Sequence, residues 1–284
     1  MMGTRFGRLA LIAGVGVVMA ASTVILPATA TAANGTKGAA TPDFNGDGVG
    51  DIFSTKTGTL NIWYGKGNNT FSARKTIGGG WAAYGRPIPG DYAGQDGIAD
   101  LIAVKKSDGQ LHGWIGKGGN TFASPRQVKL GYDGRPYADT LAALPDVNKD
   151  RRPDIAASRD GVIYVVSSKD RKAHRVPGTW TAFTTPIAGD FNGDGIGDLI
   201  AVKKGTGSLH VANGRGADNF TMPIQIGPGW GQYARTLMSL GDVNKDGRTD
   251  IAATVNGTLY LWNGKGNNTF GSRQTIGTGW APYF

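Results

Sequence analysis

Three observations predict an all-β fold, a β-propeller of four-stranded antiparallel blades built from five repeats. An Asp-rich loop recurs five times, a short apolar run follows the clearest copies directly, and no stretch after residue 33 keeps a helical period. The loops begin at Asp43, Asp91, Asp146, Asp190 and Asp242, so their starts lie 48, 55, 44 and 52 residues apart. A radial array of small sheets is how such a repeat limits its exposed edges. The 47 glycines among 284 residues, with only 18% charged residues, fit many short strands joined by tight turns.

The N-terminus reads as an export signal over residues 1–32. Arg5 and Arg8 form a positive end, Leu9 to Leu26 is uncharged and largely apolar, and Ala28-Thr29-Ala30 and Ala30-Thr31-Ala32 are acceptable cleavage sites. The apolar run reaches about the length of a membrane anchor, but Gly14, Gly16, Ser22 and Thr23 weaken that reading. The mature chain is therefore expected to be secreted and extracellular, with no membrane span after cleavage. Residues 33–41 are small and polar and read as a linker, and residues 42–284 as the repeat domain.

Within each unit four short strands are expected. The first is apolar, as in Thr185–Gly189 and Leu237–Gly241. The second follows the Asp-rich loop directly, as in Asp198–Val202, Asp100–Val104 and Asp250–Thr254. The third follows a glycine turn, over Gly58–Gly65 and Gly257–Gly264. The fourth runs from Asn69 to Ile77, from Asn268 to Ile276 and, shortened, from Asn219 to Ile226. It ends at Gly80-Trp81, Gly279-Trp280 and Gly229-Trp230. The first strand of unit one has only Gly38–Pro42 to draw on, which is short and weakly apolar. A closed ring of five is the simplest arrangement, with an open array or an assembly between chains as alternatives.

The loops carry the chemistry. Asp190-Phe-Asn-Gly-Asp-Gly-Ile-Gly-Asp198 places oxygen-bearing side chains at positions one, three, five and nine and a glycine at six. A short loop wraps oxygen ligands around a hard cation such as calcium in this way. All 21 acidic residues are Asp, and 15 of them lie in the five loops. A solvated surface would scatter its acids and use Glu freely, so cation binding is preferred over plain turns. Loop two has one residue more and lacks the Asn. In loop three Arg151 replaces the glycine, at a cost of about 1 kcal/mol if it takes positive φ. Both are expected to hold a cation less well.

The loops, the apolar strand after them and the flanking Gly189-Asp190 and Gly241-Asp242 resemble the FG-GAP/VCBS repeats, which form the propeller of integrin α-subunits and of many secreted bacterial proteins. The resemblance implies a calcium site in the loop between the first and second strands. By position it implies Asp190, Asn192, Asp194, the Ile196 carbonyl and Asp198 as ligands. In the other loops the corresponding residues are Asp43, Asn45, Asp47, Val49 and Asp51; Asp91, Asp96, Ile98 and Asp100; Asp146, Asn148, Asp150, Arg152 and Asp154; and Asp242, Asn244, Asp246, Arg248 and Asp250.

The net charge is +9, or +7 once Arg5 and Arg8 are removed. An anionic polymer or acidic glycan could be attracted, but the basic residues form no run of five, so nucleic acid is not expected to be a partner. No cysteine is present, which excludes disulfides and thiolate chemistry. Catalysis has little to build on. His112 and His210 recur at one strand position, and most carboxylates sit in the loops. All seven Trp residues follow the repeat, and Trp81, Trp230 and Trp280 are each followed by Tyr84, Tyr233 or Tyr283 three residues on. Packing between blades accounts for the Trp positions, while these six aromatics, the Tyr above all, are the candidates for stacking on a sugar. The sequence therefore predicts no enzyme but a calcium-binding module for carbohydrate or a cell-surface polymer. An integrin-like protein–protein adhesion module is the alternative, and a propeller-type hydrolase or lyase is less favoured.

Overall fold

The second strand of most units is an apolar run without alternation, and such a run has to be buried on both faces. In the computed structural model, which describes residues 40–119, 121–128, 133–168 and 172–284, this is what organises the molecule. The expected signal peptide, and the linker up to residue 39, lie outside the described residues.

Five antiparallel sheets form five blades. Blade one contains β1 (Ile52–Ser54), β2 (Thr59–Trp63) and β3 (Lys75–Gly79). Blade two contains β4 (Ile88–Gly90), β5 (Asp100–Val104), β6 (Leu111–Trp114) and β7 (Arg126–Val128). Blade three contains β8 (Leu141–Leu144), β9 (Asp154–Arg159), β10 (Val162–Val166) and β11 (Ala173–Arg175). Blade four contains β12 (Ile187–Gly189), β13 (Asp198–Val202), β14 (Leu209–Ala212) and β15 (Ile224–Gly227). Blade five contains β16 (Met238–Gly241), β17 (Asp250–Val255), β18 (Thr258–Trp262) and β19 (Gln274–Gly277). The innermost strands β4, β8, β12 and β16 stand side by side around the axis. Among the described residues there is no α-helix, hence none long and apolar enough to cross a membrane.

The core is divided into five clusters, one per interface between blades. In β13, Leu199 and Ala201 pack toward blade three while Ile200 and Val202 pack toward blade five. In β5, Leu101 and Ala103 face blade one, and Ile102 and Val104 face blade three. At about 1.5–3 kcal/mol per buried aliphatic side chain, these interfaces dominate the stability of the ring.

The ring is closed. Pro42 takes the inner place in blade one, its carbonyl accepting from the Asp51 N–H at 2.9 Å. Ile52 and Trp63 of blade one share a cluster with Leu240, Leu261 and Trp280 of blade five. The side-chain amides of Asn69 and Asn263 exchange hydrogen bonds at 2.9 Å, and Ser54 Oγ donates to the Tyr283 carbonyl at 2.7 Å. Gly50 N–H reaches the Asp242 carbonyl at 2.8 Å. A Cβ at Gly50 would stand 1.7 Å from the Leu240 oxygen, so only glycine allows this approach.

The fourth strands start later than expected. Phe71, Phe220 and Phe270 make only isolated bridges, to Gly65, Gly214 and Gly264, and regular pairing begins at Lys75, Ile224 and Gln274. Pro223 in blade four has no N–H to contribute. The strands also end before the Trp. Trp81, Trp180, Trp230 and Trp280 turn out of the sheet, and each main-chain N–H is held by a glycine carbonyl: Gly58, Gly161, Gly207 and Gly257 respectively.

Candidate functional site

Alternating strand direction places the loops between first and second strands at one end of the ring. The turns between second and third strands, and the connections from one blade to the next, lie at the other end.

At the first end the five loops fold by a common scheme. In loop one, Asp43 accepts from the N–H groups of Gly46 (2.7 Å) and Gly48 (2.8 Å), Asp47 from Val49 (2.9 Å), and Asn45 from Asp47 (3.2 Å). Asp51 is fully buried, and its two oxygens accept from Phe44 (2.8 Å) and Gly65 (2.9 Å), tying the loop to the third strand. Asp190, Asn192, Asp194, Ile196 and Asp198 repeat the pattern, as do Asp242, Asn244, Asp246, Arg248 and Asp250. Position four as well as position six lies at positive φ. Gly46 and Gly193 fill it in two loops, Lys149 (66°) and Lys245 (65°) in two others.

The two aberrant loops keep the scaffold by different means. In loop two the extra residue is absorbed at Tyr92. Asp100 is then reached by the N–H of Ala93 (2.7 Å), while Asp91 accepts from Gln95 and Gly97 and Asp96 from Ile98. In loop three Arg151 does take φ 69°, its N–H held by Asp146 at 2.6 Å, and Arg152 N–H is held by Asp150. Asn148 turns inward, donating to Asp154 (3.1 Å) and Ser167 (2.9 Å), and Ser168 Oγ is 2.8 Å from both Asp150 and Asp154. In the other Asn-bearing loops the amide turns outward, to Asp47, Asp194 or Asp246.

Burial raises the carboxyl pKa at position nine of every loop: to about 8 for Asp51, about 7 for Asp100, Asp154 and Asp198, and about 6 for Asp250. Main-chain N–H groups counteract part of this, and the other loop carboxylates add to it. No ion pair among the described residues involves a loop carboxylate. By kind, the donor set fits a hard cation: oxygen only, three carboxylates per loop, and no basic partner. As the loops stand, their oxygens are turned onto loop N–H groups. Among the described residues no three acidic or imidazole side chains gather as a metal-holding group.

The aromatics sit between blades. Trp81 stacks on Trp114 at 4.6 Å, Trp230 on Trp262 at 4.9 Å and Trp280 on Trp63 at 4.8 Å. Tyr84, Tyr233 and Tyr283 close each group edge-on at 4.8 Å. In the next interface Trp180, Phe183 and His210 take these places, His210 with its Nε2 3.1 Å from Ser208 Oγ. His112 lies edge-on to Tyr84, so both recurrent histidines belong to this packing. Trp81, Trp280 and Tyr233 are buried, with Arg273 donating to the Tyr233 hydroxyl at 2.8 Å. Trp230, Tyr84 and Tyr283 are half-buried.

The second end holds a feature that no repeat motif signals. A central cavity of about 510 Å³ runs down the inner strands, and its walls include Phe53, Trp81, Tyr84 and Tyr283 with Lys56, Arg86, Lys106, Asp139 and Arg235. A sequence signal was available: Arg86 and Arg235 each lie two residues after a repeat tyrosine, Tyr84 and Tyr233, where unit four has Thr185.

A model of the FG-GAP-like repeat family matches residues 190–253, which span loop four, β13 to β16, loop five and the start of β17. This chain fits the FG-GAP/VCBS propeller family. No curated protein matches the sequence. Among solved structures, this propeller is similar to an Agrocybe aegerita lectin described as recognising non-reducing terminal N-acetylglucosamine. That pair has a TM-score of 0.45 and 20% identity, covering 82% of this chain and 68% of the lectin. A Photorhabdus luminescens Tc holotoxin pore gives a TM-score of 0.44 at 15% identity, covering 90% of this chain but 12% of the toxin chain.

Proposed function

We propose that this FG-GAP propeller is a secreted, calcium-stabilised, non-catalytic binding module whose ligand is a carbohydrate or a cell-surface polymer. The observation that carries the reading is the central cavity, where the half-buried rings of Tyr84 and Tyr283 stand among exposed Lys56, Arg86, Lys106, Asp139 and Arg235. Sugar recognition needs that combination: an apolar ring face for the C–H side of a pyranose and convergent polar groups for its hydroxyls. The non-catalytic part is supported by where the titratable groups are used. The loop carboxylates hold main-chain N–H groups, and His112 and His210 pack between blades.

Calcium would be held by the oxygens at loop positions one, three, five and nine and by the carbonyl at seven, and would neutralise carboxylates that burial leaves poorly solvated. Its role would be structural, because in four of the five loops no ligand residue lines the cavity. Secretion rests on residues 1–32.

The test is a glycan array probed with the mature chain in calcium, followed by titration calorimetry of Tyr84→Ala and Tyr283→Ala on any hit. Loss of binding with unchanged circular dichroism is expected. An array with no hit, or hits insensitive to both substitutions, would sink the carbohydrate reading.

A further inference from the structure

The cavity wall is unevenly charged. Lys56, Arg86, Lys106 and Arg235 face two carboxylates, Asp139 at the rim and Asp51 deeper. Asp51 is fully buried, and its two oxygens are already taken up by the N–H groups of Phe44 and Gly65. Asp139 accepts from the main-chain N–H of Arg86 at 3.1 Å.

The four cations differ in what else they do. Lys56 donates to the Phe284 carbonyl and Lys106 to the Ala82 carbonyl, so both ammonium groups are partly engaged. The guanidinium groups of Arg86 and Arg235 make no hydrogen bond or ion pair among the described residues. Both side chains are exposed to the cavity, Arg86 on the approach to β4 and Arg235 on the approach to β16. Arg86 is also crowded by the surrounding walls: burial lowers its pKa, with Asp139 the opposing influence. A guanidinium committed to no other partner is free to meet an incoming oxyanion with a fork of two parallel N–H donors.

We propose that the cavity is an oxyanion subsite in which Arg86 and Arg235 grip the carboxylate or phosphate of an acidic sugar, the pyranose lying against Tyr84. This deepens the carbohydrate reading above and rests on it. Asp139 sets a limit on the ligand, since it repels a second charge placed beside Arg86. Singly charged groups spaced along a polymer are therefore preferred over a dense polyanion.

The probes are a uronic acid trisaccharide, its neutral hexose counterpart, a hexose 1-phosphate and inorganic phosphate, titrated calorimetrically at 50 and 300 mM salt. Wild type should bind at least one acidic sugar at least tenfold more tightly than the neutral trisaccharide, and that preference should shrink with salt. The two acidic sugars separate a carboxylate-bearing source from a phosphate-bearing one. Arg86→Gln with Arg235→Gln should abolish the preference while leaving the neutral sugar's affinity intact. Arg86→Lys should retain part of it, and Lys265→Gln at the opposite end should change nothing. Thermal unfolding of each variant checks the fold. Equal binding of acidic and neutral sugars overturns this inference and leaves the carbohydrate reading standing. Binding of inorganic phosphate as tight as that of the hexose phosphate overturns the sugar half, and failure of every sugar to bind removes both.

Discussion

Asp198→Asn should change sign with calcium. Asp198 is fully buried, its oxygens accepting from Phe191 and Gly214 at 2.9 Å each, and its pKa is raised from 3.8 to about 7, first by burial and then by Asp190 and Asp194. At about 1.4 kcal/mol per unit, ionising it in the cation-free fold costs roughly 4 kcal/mol near pH 8. Asn removes that charge but sets an NH₂ against one of the two N–H donors, a loss of about 1–3 kcal/mol. In chelator at pH 8 the variant should therefore be as stable as wild type or more stable by about 1–3 kcal/mol. In saturating calcium it loses a charged ligand, and a thousandfold drop in affinity removes about 4 kcal/mol, more than the gain in chelator, so the variant is there the less stable by about 1–3 kcal/mol. The pH dependence follows with its sign. The folded pKa lies above the unfolded one, so the cation-free fold binds more protons than the unfolded chain between pH 4 and pH 7. Its stability falls as pH rises through that window, and less so in the variant. Urea unfolding of both proteins at pH 5 and 8, with calcium and with chelator, measures all of this. The same sign of effect in both cation states would refute the reasoning.

Two further predictions concern closure and the third loop. Trp280→Ala should cost about 3–5 kcal/mol in urea unfolding, because Trp280 is 8% exposed and stacks on Trp63 across the closing interface. A loss under about 1 kcal/mol would mean that the blade one to blade five contact is dispensable. Ser168→Ala should destabilise by about 1–3 kcal/mol equally with and without calcium, since the Ser168 hydroxyl lies 2.8 Å from both Asp150 and Asp154 in a loop whose Asn148 is turned inward, away from a ligand position. An effect appearing only in calcium would place the ion at that loop after all.

Blade number and the second and third strands were legible because each loop is followed at once by a buried apolar run, as at Asp198–Val202. Ring closure was legible only as the simplest arrangement of five units, without the contacts that make it. Pro42 supplies the inner position through one carbonyl, and Ala40 and Thr41 have little apolar character to signal it. The late start of the fourth strands was hidden because Phe71 looks like a strand residue but pairs only as a bridge. In the loops, position six was readable from glycine, whereas position four was masked by Lys149 and Lys245 accepting the same backbone. The inward turn of Asn148 depends on Ser167 and Ser168, which lie 19 and 20 residues further along. Arg86 and Arg235 share one repeat position, two residues after Tyr84 and Tyr233, but Asp139 and Thr185 fill that place in other units, so no single residue type marks it.

The clasp between blades five and one has a kinetic side. It joins Asn69 to Asn263 and Ser54 to Tyr283, residues 194 and 229 positions apart. Every other interface forms between neighbours along the chain, so an arc can grow blade by blade while both of its flanks stay raw and apolar. The final association has to gather the two ends of that arc, which makes it the slowest step and the one most open to capture by a second arc. Two arcs exchanging their flanks would give a domain-swapped ring from the same contacts, and its yield should climb with protein concentration during refolding.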